Sequence, residues 1–577
     1  MITMHKSIGV IFLWACIAVG GEIGNAAMPV EQIAVDLRQR LQQVDPLAAP
    51  PRTADAILYS PVLVSRFYAQ RHYRPAWVNA AGPLPMATAL LEVVANAEGE
   101  GLRSADYHSR ALSHTLTKLG TAHAPTNQQL AELDLLLTDA FLTYGAHLVS
   151  GRPAIRKTGG DWALEPRARD LVTILQEVLE GNSEVVEALD TLAPSPGYVR
   201  LRLALSYYRA LDQIGGWPTV SPGPKLEKGA FGARVKELRA RLRVTGDLQS
   251  APGSKDPVIE TADFLKVAHT GHPVGAGSLA DGRTDIELLF DEGLWQAVRR
   301  FQQRHGLEAD GIVGLRTLAA LNVPVAERIR QIELNMERWR WLPDELGRRY
   351  ILINIPDFKM TVVEDGQQVM EVPVVVGKSQ RPTPVFAGTM SYLVLNPYWH
   401  VPPRIAVEDM LPQLRKDPYA LYRQNIHIFN RANQQIDPGS INWQAVNPGN
   451  FPYQLRQEPG PSNALGKVKF IFPNAYHVYL HDTSSPQLFN RTQRAYSSGC
   501  IRVAQPIELA EYLLSSDPRW SRDAILSTVG GKRERTVPLP EKVPVYLLYW
   551  TAWADESGIV HFREDIYQHD KQWLQVL

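Results

Sequence analysis

The sequence predicts a multidomain α+β protein, with a helical N-terminal part, a three-helix module and a mostly-β C-terminal domain that carries an inserted subdomain. Three observations predict this fold class. At 577 residues the chain is too long for a single hydrophobic core. Apolar residues recur at helical spacing as far as Trp341 and at a period of two from Arg349 onward. Within the β part, residues 402–461 are too many for a loop of a compact sheet domain.

Composition and charge exclude several classes of protein. Hydrophobic residues make up 45% and charged residues 21% of the chain, which is typical of globular proteins. Lys and Arg together number 60, as do Asp and Glu, so no net charge attracts nucleic acid and we expect no nucleic-acid partner. After the N-terminus no segment approaches about 18 consecutive apolar residues, so we expect no membrane span in the mature protein.

The first residues follow the order of a secretory signal peptide. A weakly basic start precedes a short apolar run at 8–20 and a small-x-small cleavage site at 24–26. We therefore predict that residues 1–26 are a cleaved signal peptide and that the mature protein is exported. Two alternatives remain open: an uncleaved anchor helix, and a lipoprotein that carries its lipid on Cys16.

Cysteine usage singles out one residue. The chain has 2 cysteines, and Cys16 would leave with the signal, so Cys500 would remain alone in a compartment that oxidises thiols. A lone thiol there cannot form an internal disulfide and is a liability unless its chemistry is used. The alternative is a buried cysteine that acts as a small hydrophobic residue. The neighbouring residues must decide between the two.

Residues 27–220 are predicted to form a helical scaffold domain. Ile33, Leu37 and Leu41, like the apolar residues of 135–144, keep the spacing of an amphipathic helix. Proline-rich breaks separate the helices. This part contains no cluster of reactive side chains, so we expect it to support the other domains.

Residues 225–323 form the predicted three-helix module. Its first helix carries Val235, Leu238 and Leu242, and its second helix runs through 294–301. A turn then leads into the third helix. The apolar positions of these helices predict a small core of their own.

The segment 301–318 carries the most specific pattern of this module. Gly306 stands where a helix C-cap belongs, and Asp310-Gly311 is a turn signal before the third helix. The pattern resembles the three-helix peptidoglycan-binding module of wall hydrolases. The resemblance implies glycan binding, with a plain spacer as the alternative. The module departs from that family in the long stretch 246–290, which we interpret as an insertion.

A connecting helix at 326–345 leads into the mostly-β domain at 348–550. A turn at 364–366 joins two of its strands as a hairpin. The predicted strands lie at 350–355, 358–363, 368–377, 389–395, 467–472, 477–480 and 543–550. Residues 402–461 form the predicted inserted capping subdomain, and residues 551–577 are predicted to be a C-terminal tail.

Two segments, 476–483 and 496–503, hold the residues with reactive side chains. Acyl transfer by a thiol needs the thiolate, and a free cysteine has a pKa of about 8.5, so a base must generate it. Histidine suits that task because its pKa lies near neutrality. We therefore predict Cys500 as the nucleophile and His481 as the general base and acid, brought together when the polar loop between them folds back.

Residues around the thiol fit the other needs of this chemistry. Backbone amides near Ser498 and Gly499 are predicted to hold a tetrahedral oxyanion, since Gly499 lets the backbone turn sharply. Arg502 lies two residues after Cys500 on the same face of a strand, where it is placed to fix a substrate carboxylate. A structural ion pair is the alternative for Arg502.

A metal site is a competing interpretation of His477 and His481. Four residues apart on a helix, they would form a zinc pair, yet 478–480 favours a strand and no third ligand is evident. We therefore predict no metal and no cofactor. On a strand both histidines share a face with Tyr479, so a buried core position is the alternative for His477.

His481 and the run Ser-Gly-Cys-Ile-Arg at 498–502 resemble the active-site signature of the L,D-transpeptidase (YkuD) family. Segments 377–386 and 396–403 resemble its long Gram-negative members, which also carry a helical scaffold, a wall-binding module and a capping insertion. The resemblance therefore covers nearly the whole mature chain. The serine and the arginine of the run depart from the general family pattern, but both are usual in the long subgroup.

The resemblance implies a substrate and a mechanism. The donor would be a tetrapeptide stem of peptidoglycan, cut between meso-diaminopimelate and the terminal D-Ala. A second stem would accept the acyl group from a thioester, which gives a 3-3 crosslink. The resemblance also implies a periplasmic location, other wall-synthesis enzymes as partners, and acylation by carbapenems. Among the residues, it implies that the Asp482 carbonyl orients His481 and that Tyr479 and Trp399 line the donor site.

Other activities remain open at this point. Hydrolysis at the same site would make the protein an L,D-carboxypeptidase or a crosslink-trimming endopeptidase. Attachment of a lipoprotein to the wall would use a different acceptor. A non-catalytic wall-binding scaffold is an alternative of another class, against which the intact pair of Cys500 and His481 argues.

Overall fold

A computed structural model describes residues 27–42, 57–121, 125–158, 167–248 and 284–575. The predicted signal peptide at 1–26, with Cys16, and most of the predicted insertion at 246–290 lie outside these residues. No helix within the described ranges is both long enough and apolar enough to cross a membrane.

The chain divides into two compact units. The first comprises Met1–Ala97, Arg103–Ala146 and Asp170–Thr191, and the second comprises Glu98–Leu102, His147–Arg169 and Leu192–Leu577. Together they give the multidomain α+β fold that the sequence predicts, because the first unit is helical and the second joins helices to a large sheet.

The first unit is built from helices and one short hairpin, β1 (Val78–Asn79) with β2 (Gly82–Pro83). Its helices are Ala27–Gln42, Pro61–Gln70, Pro85–Ala95, Ser109–Thr121, most of Asn127–Ser150, Leu171–Leu179 and Val185–Asp190. The predicted amphipathic positions of the first helix are buried. Asp134, buried on Asn127–Ser150, accepts hydrogen bonds from the Tyr68 hydroxyl and from backbone amides of 76–78. This carboxylate therefore fixes the chain just before and within β1.

The second unit contains the other helices. They are Pro153–Thr158, Pro196–Gln213, Ala233–Val244, Thr284–Leu288, Glu292–Arg304, Leu315–Leu321, Val325–Trp339, Pro403–Ile405, Leu411–Lys416, Pro506–Leu514, Arg522–Val529 and His569–Trp573. Pro196–Gln213 packs lengthwise against Val325–Trp339, the predicted connecting helix. Apolar residues of both helices share one buried cluster, so the two helices are packed through a common core.

The three-helix module has the core that its apolar spacing predicts, with Val235, Leu238 and Leu242 buried. Gln302, also buried, organises the turn that follows the second helix. Its amide nitrogen donates to Asp310 Oδ1 at 2.8 Å and to the Thr317 hydroxyl at 3.1 Å. Its amide oxygen accepts from the backbone of the following turn, and the polar residues of the predicted pattern therefore form one hydrogen-bond network.

A large sheet forms the centre of the C-terminal part. The strands of this part are, in chain order, β3 (Arg349–Asn354), β4 (Lys359–Glu364), β5 (Gln367–Gly377), β6 (Phe386–Leu395), β7 (Trp399–His400), β8 (Ile426–Phe429), β9 (Gln435–Ile436), β10 (Gln454–Gln457), β11 (Val468–Ile471), β12 (Leu480–His481), β13 (Ala495–Ser497), β14 (Ile501–Val503), β15 (Arg535–Leu548), β16 (Ala552–Ala554) and β17 (Val560–Phe562). The large sheet has the order β13-β5-β14-β12-β11-β6-β15-β3-β4, and β5 also pairs with β4. Eight strands therefore close into a barrel, with β13 added outside on β5.

The barrel interior is a large apolar core, and alternate residues of the barrel strands supply much of it. The predicted hairpin between β4 and β5 is confirmed. Asp365 and Gly366 there both have positive φ angles, 50° and 75°, as a two-residue hairpin turn requires. The last barrel strand is longer than predicted, because a bulge between Pro538 and Val543 lets both halves of β15 pair with β6.

The inserted segment between β6 and β11 forms a substructure with its own core. Its strands make a four-stranded sheet in the order β7-β10-β8-β9. Pro403–Ile405, a π-helical turn at Ala406–Met410 and Leu411–Lys416 run on from one another and pack beside this sheet. The small sheet is absent from the sequence prediction, since its strands are two to four residues long.

The residues after Trp550 also fold. β16 and β17 pair as a hairpin, and Trp573 on the last helix is fully buried. Asp570 accepts from the buried Arg338 guanidinium and from the Thr551 hydroxyl. The C-terminal segment is thus tied to the connecting helix.

Candidate active site

The position of β12 between β11 and β14 places the predicted site residues on one face of the barrel wall. Across the parallel pair of β12 and β14, Leu480 lies opposite Ile501 and His481 lies opposite Arg502. Leu480 and Ile501 are buried in the barrel core. Because side chains alternate along a strand, His481 and Arg502 project from the outer face.

Cys500 precedes β14 and lies beside Tyr479. The Ile501 amide donates to the Tyr479 carbonyl oxygen at 3.1 Å, so the strand pairing continues one step before β12. Cys500 is a free, half-buried cysteine whose Sγ lies 3.8 Å from the His477 carbonyl oxygen. Burial raises the pKa of the Cys500 thiol, although hydrogen bonding from Tyr479 opposes this effect. The resting side chain is therefore a thiol near neutral pH, and its reaction needs a base.

His481 is held in one orientation by the next residue. Its Nδ1 lies 2.5 Å from the Asp482 carbonyl oxygen, so the neutral ring carries its proton on Nδ1 and leaves Nε2 as an acceptor. Burial of the ring and the charges of Arg502 and Lys469 lower the pKa of His481 to about 3. The imidazole is therefore neutral in the physiological pH range, which is the form that a general base requires.

The Asp482 carboxylate accepts hydrogen bonds from backbone amides, whereas the Asp482 carbonyl oxygen contacts the His481 imidazole. Its Oδ2 accepts from the Lys467 amide and its Oδ1 accepts from the Thr483 amide, each at 2.7 Å. The atom of Asp482 in contact with His481 is therefore its backbone carbonyl oxygen.

The turn before Cys500 is shaped by Gly499 and the buried Ser497. Gly499 has a φ angle of +115°, which side chains rarely tolerate. Its amide donates to the Ser497 hydroxyl at 3.1 Å, and that hydroxyl donates in turn to the Cys500 carbonyl oxygen. Since this bond engages the Gly499 amide, the Ser498 amide is left of the two predicted oxyanion donors, and the Cys500 amide is a further candidate in the same turn.

The segment after β5 supports this turn, and the sequence analysis did not assign it that role. The Thr383 hydroxyl accepts from the Gly377 amide and donates to the Gly499 carbonyl oxygen, both at 2.9 Å. Arg381 is buried and donates to the Ser498 hydroxyl and to two carboxylates of the insertion. The Arg-Pro-Thr run at 381–383 was noted only as a family resemblance, since its contacts with Ser498 and Gly499 join residues that are distant in the chain.

Lys469 is a site residue that sequence reasoning missed. On β11 it lies opposite His481, and its Nζ lies 3.9 Å from the centre of the Tyr479 ring. Burial lowers the pKa of Lys469. The signal was available, because Lys469 alternates with the buried Val468 and Phe470 and so shares the outer face with the histidine.

Two other predicted positions lie elsewhere. Trp399 is on β7, opposite Gln457 of the insertion sheet, and packs against the core of the insertion.

The predicted strand at 477–480 is shorter than expected, and His477 is exposed in a turn with a φ angle of +56°. The Asn474 side chain accepts from the Val478 amide and donates to the Val478 carbonyl oxygen, which bends the chain there. A buried core position for His477 is therefore wrong.

Metal ligands are a separate question. In the part of the chain that the structure describes, no three His, Cys, Asp or Glu side chains are grouped so that they could hold a metal ion. His477 and His481 also differ in setting, one exposed in a turn and the other buried on a strand.

A half-buried thiol just before β14, a neutral imidazole on the paired strand β12 and a sharp glycine turn before the thiol are parts that thiol-dependent acyl transfer requires. The arrangement defines this class of site. Comparison with known proteins then gives the family of each part of the chain.

Residues 348–543 match the family model described as "L,D-transpeptidase catalytic domain". Residues 62–205 match the "Scaffold domain", and residues 277–321 match the "Putative peptidoglycan binding domain". The chain therefore carries an L,D-transpeptidase catalytic domain joined to a scaffold domain and a peptidoglycan-binding domain.

A curated relative and two solved structures are similar to this chain. The relative, "Putative L,D-transpeptidase" of Haemophilus influenzae, is 37% identical over 243 residues, which span 42% of this chain and 48% of that protein. The match thus spans about half of the relative's length. An L,D-transpeptidase from Mycobacterium smegmatis is 15% identical, covers 35% of this chain and 58% of its own, and has a TM-score of 0.16. One from Xylanimonas cellulosilytica is 16% identical, with 57% and 100% covered and a TM-score of 0.16. These TM-scores are too low to support a conclusion.

Proposed function

We propose that this protein is an L,D-transpeptidase that forms 3-3 meso-diaminopimelate crosslinks in peptidoglycan and releases D-Ala from tetrapeptide stems. One observation carries the proposal: within the L,D-transpeptidase catalytic domain, Cys500 directly precedes β14, and β14 pairs with β12, which carries the neutral His481. The peptidoglycan-binding domain supports a wall polymer as the substrate.

In the first half of the reaction, the donor stem acylates Cys500. Nε2 of His481 takes the thiol proton as Sγ attacks the carbonyl carbon of the peptide bond between meso-diaminopimelate and D-Ala. The amides of Ser498 and Cys500 hold the resulting oxyanion. The imidazolium then gives its proton to the departing nitrogen, the C–N bond breaks, and D-Ala leaves a thioester on Cys500.

In the second half, the side-chain amine of another stem attacks the thioester. His481 accepts a proton from that amine, a new C–N bond forms, and the sulfur leaves as a thiolate that recovers the proton from the imidazolium. Because Nδ1 stays bonded to the Asp482 carbonyl, the ring presents the same nitrogen in both halves. The site ends as it began.

The choice between an amine and water as acceptor separates crosslinking from hydrolysis. The insertion supports transfer, because Arg381 ties its Glu408 and Asp409 to the hydroxyl of Ser498, next to the thioester position. A folded segment held there keeps bulk water from the acyl-enzyme. Trimming by an L,D-carboxypeptidase or endopeptidase is the competing outcome at the same site.

The test is incubation of the mature protein with a purified disaccharide tetrapeptide, followed by separation of the products by mass. Crosslinked dimer with equimolar D-Ala is expected, and Cys500→Ala should give neither product. Tripeptide without dimer would show that the enzyme hydrolyses its acyl-enzyme. Absence of both products from the wild type would contradict catalysis and favour a wall-binding scaffold.

We also propose that the protein acts in the periplasm after removal of residues 1–26, beside other wall-synthesis enzymes. A cell envelope substrate requires export, and the apolar run at 8–20 has the length of a signal peptide. Intact mass of the protein from a periplasmic extract is expected to lack the first 26 residues. A full-length mass in the membrane fraction would instead indicate an anchor.

A further inference from the structure

Two cationic side chains on the outer barrel face lie beside the thiol, and Glu534, whose charge acts on Lys469, forms no ion pair with it. Lys469 has its ammonium over the Tyr479 ring, at 3.9 Å. Arg502 makes one long contact, 3.4 Å to the Thr483 hydroxyl, and its Nε is buried with no hydrogen-bond partner. Among the described residues, neither cation forms an ion pair with an acidic side chain.

The sheet register brings these two cations to opposite sides of one residue. Lys469 on β11 lies opposite His481, and Arg502 on β14 lies opposite His481 from the other side. Both charges act on Cys500, which precedes Arg502 by two residues. Two partly desolvated like charges that flank one residue repel each other unless an anion offsets them. The arrangement is therefore that of a site awaiting an anion next to the sulfur.

The proposed donor supplies such an anion. When the carbonyl of the scissile peptide bond lies at Sγ, the carboxylate of the terminal D-Ala lies just beyond the scissile nitrogen. It is the charged group of the leaving residue, and the site must accommodate it during attack. A flexible ammonium and a guanidinium in this position suit a carboxylate, one as a point charge and one through paired N–H groups.

We propose that Lys469 is a substrate-binding residue that, together with Arg502, forms a subsite for the free C-terminal carboxylate of the donor peptide. The inference rests on the proposed function and deepens it, because it predicts selection of donors that end in an unblocked residue. The Tyr479 ring holds the ammonium in place by a cation–π contact. Lys469 acts on the ground-state complex through this charge and takes no part in proton transfer.

The test compares two donors in the full mature protein: a disaccharide tetrapeptide with a free C-terminal carboxylate, and the same compound with a C-terminal carboxamide. For each donor, kcat and KM are measured from the tripeptide-containing products. The wild type is expected to favour the acid. In Lys469→Gln the acid-over-amide ratio of kcat/KM should fall about tenfold, mainly through the KM of the acid.

Two further variants separate binding from other effects. Lys469→Arg keeps the charge and should restore most of the discrimination. Lys467→Gln removes an exposed charge two residues earlier and should leave the ratio at the wild-type value. If Lys469→Gln lowers both donors equally, or leaves the ratio unchanged while products still form, the subsite is wrong although the enzyme is an L,D-transpeptidase. A wild type inactive on both donors would instead overturn the proposed function and the subsite with it.

Discussion

A guanidinium nitrogen of Arg381 donates a hydrogen bond of 2.9 Å to the hydroxyl of Ser498, two residues before the nucleophile. The same guanidinium is paired with Glu408 and Asp409 in the insertion. One buried side chain thus joins the turn before Cys500 to the segment that we infer shields the acyl-enzyme. The position of the insertion and the geometry of this turn are therefore coupled.

Replacement of Arg381 should impair catalysis without unfolding the barrel. Arg381→Lys keeps a positive charge but cannot span three partners, so we expect kcat for D-Ala release to fall about tenfold. Arg404→Lys is the matched control, because exposed Arg404 pairs with Glu408 alone. If both variants had the same kcat, the link between Arg381 and the turn would have no catalytic role. Circular dichroism melting would verify that each variant is folded.

The nucleophile and the base can be separated with a carbapenem, whose β-lactam carbonyl is attacked by an activated thiol. Intact mass spectrometry should show one adduct on the wild type and none on Cys500→Ala. His481→Gln should acquire the adduct at least about a hundredfold more slowly, since general base catalysis is lost. Binding to insoluble peptidoglycan should stay unchanged in both variants. An adduct on Cys500→Ala would place the nucleophile elsewhere.

The pH dependence of acylation should be flat around neutrality. The pKa of His481 is lowered to about 3, and the pKa of the Cys500 thiol is raised, so base and thiol both stay neutral between about pH 5 and pH 8. We expect kcat/KM for D-Ala release to change less than about threefold over that range. A rate that falls with a midpoint near pH 6.5 would show that the imidazole titrates normally and would contradict the buried, cation-flanked setting.

The lowered pKa of His481 also predicts how the stability of the protein depends on pH. His481 has a folded-state pKa of about 3 against an ordinary value of 6.5, so the unfolded chain binds more protons between these values. The contribution of the neutral ring to the free energy of unfolding is therefore present above pH 6.5 and is lost as the pH falls toward 3. Urea unfolding of His481→Gln should depend less steeply on pH in this window than that of the wild type. Equal slopes would contradict the prediction.

Much of the fold could be predicted because its signals are local. The helical spacing of Ile33, Leu37 and Leu41, and the turn residues Asp365 and Gly366, each act through neighbours in the chain. The insertion sheet and the folded C-terminus could not be predicted in the same way. Their strands are two to four residues long, and Trp573 is buried through contacts with residues distant in sequence.

In the candidate site, too, residues with a local signal could be predicted and residues that depend on long-range contacts could not. Cys500 and His481 stand out because their chemistry is rare in the chain and their segments are short. Arg381 and Lys469 did not stand out in the sequence, because the role of a charged residue depends on which strand or loop the fold places next to it. The choice of the Gly499 amide as an oxyanion donor shows the limit most clearly, since the Ser497 hydroxyl engages that amide.

The peptidoglycan-binding domain offers a test of its hydrogen-bond network that is independent of catalysis. Buried Gln302 bonds to Asp310, Thr317 and the backbone of the intervening turn, so Gln302→Ala would remove these hydrogen bonds and take the acceptor from the buried Gly311 amide. We expect the free energy of unfolding of this domain to fall by about 2–3 kcal/mol, measured by hydrogen exchange in the full chain. Gln303→Ala, at the exposed neighbouring position, is the control and should change it by less than about 0.5 kcal/mol. Equal protection in the two variants would mean that the turn is held by its backbone alone and that the glutamine of the pattern serves another purpose.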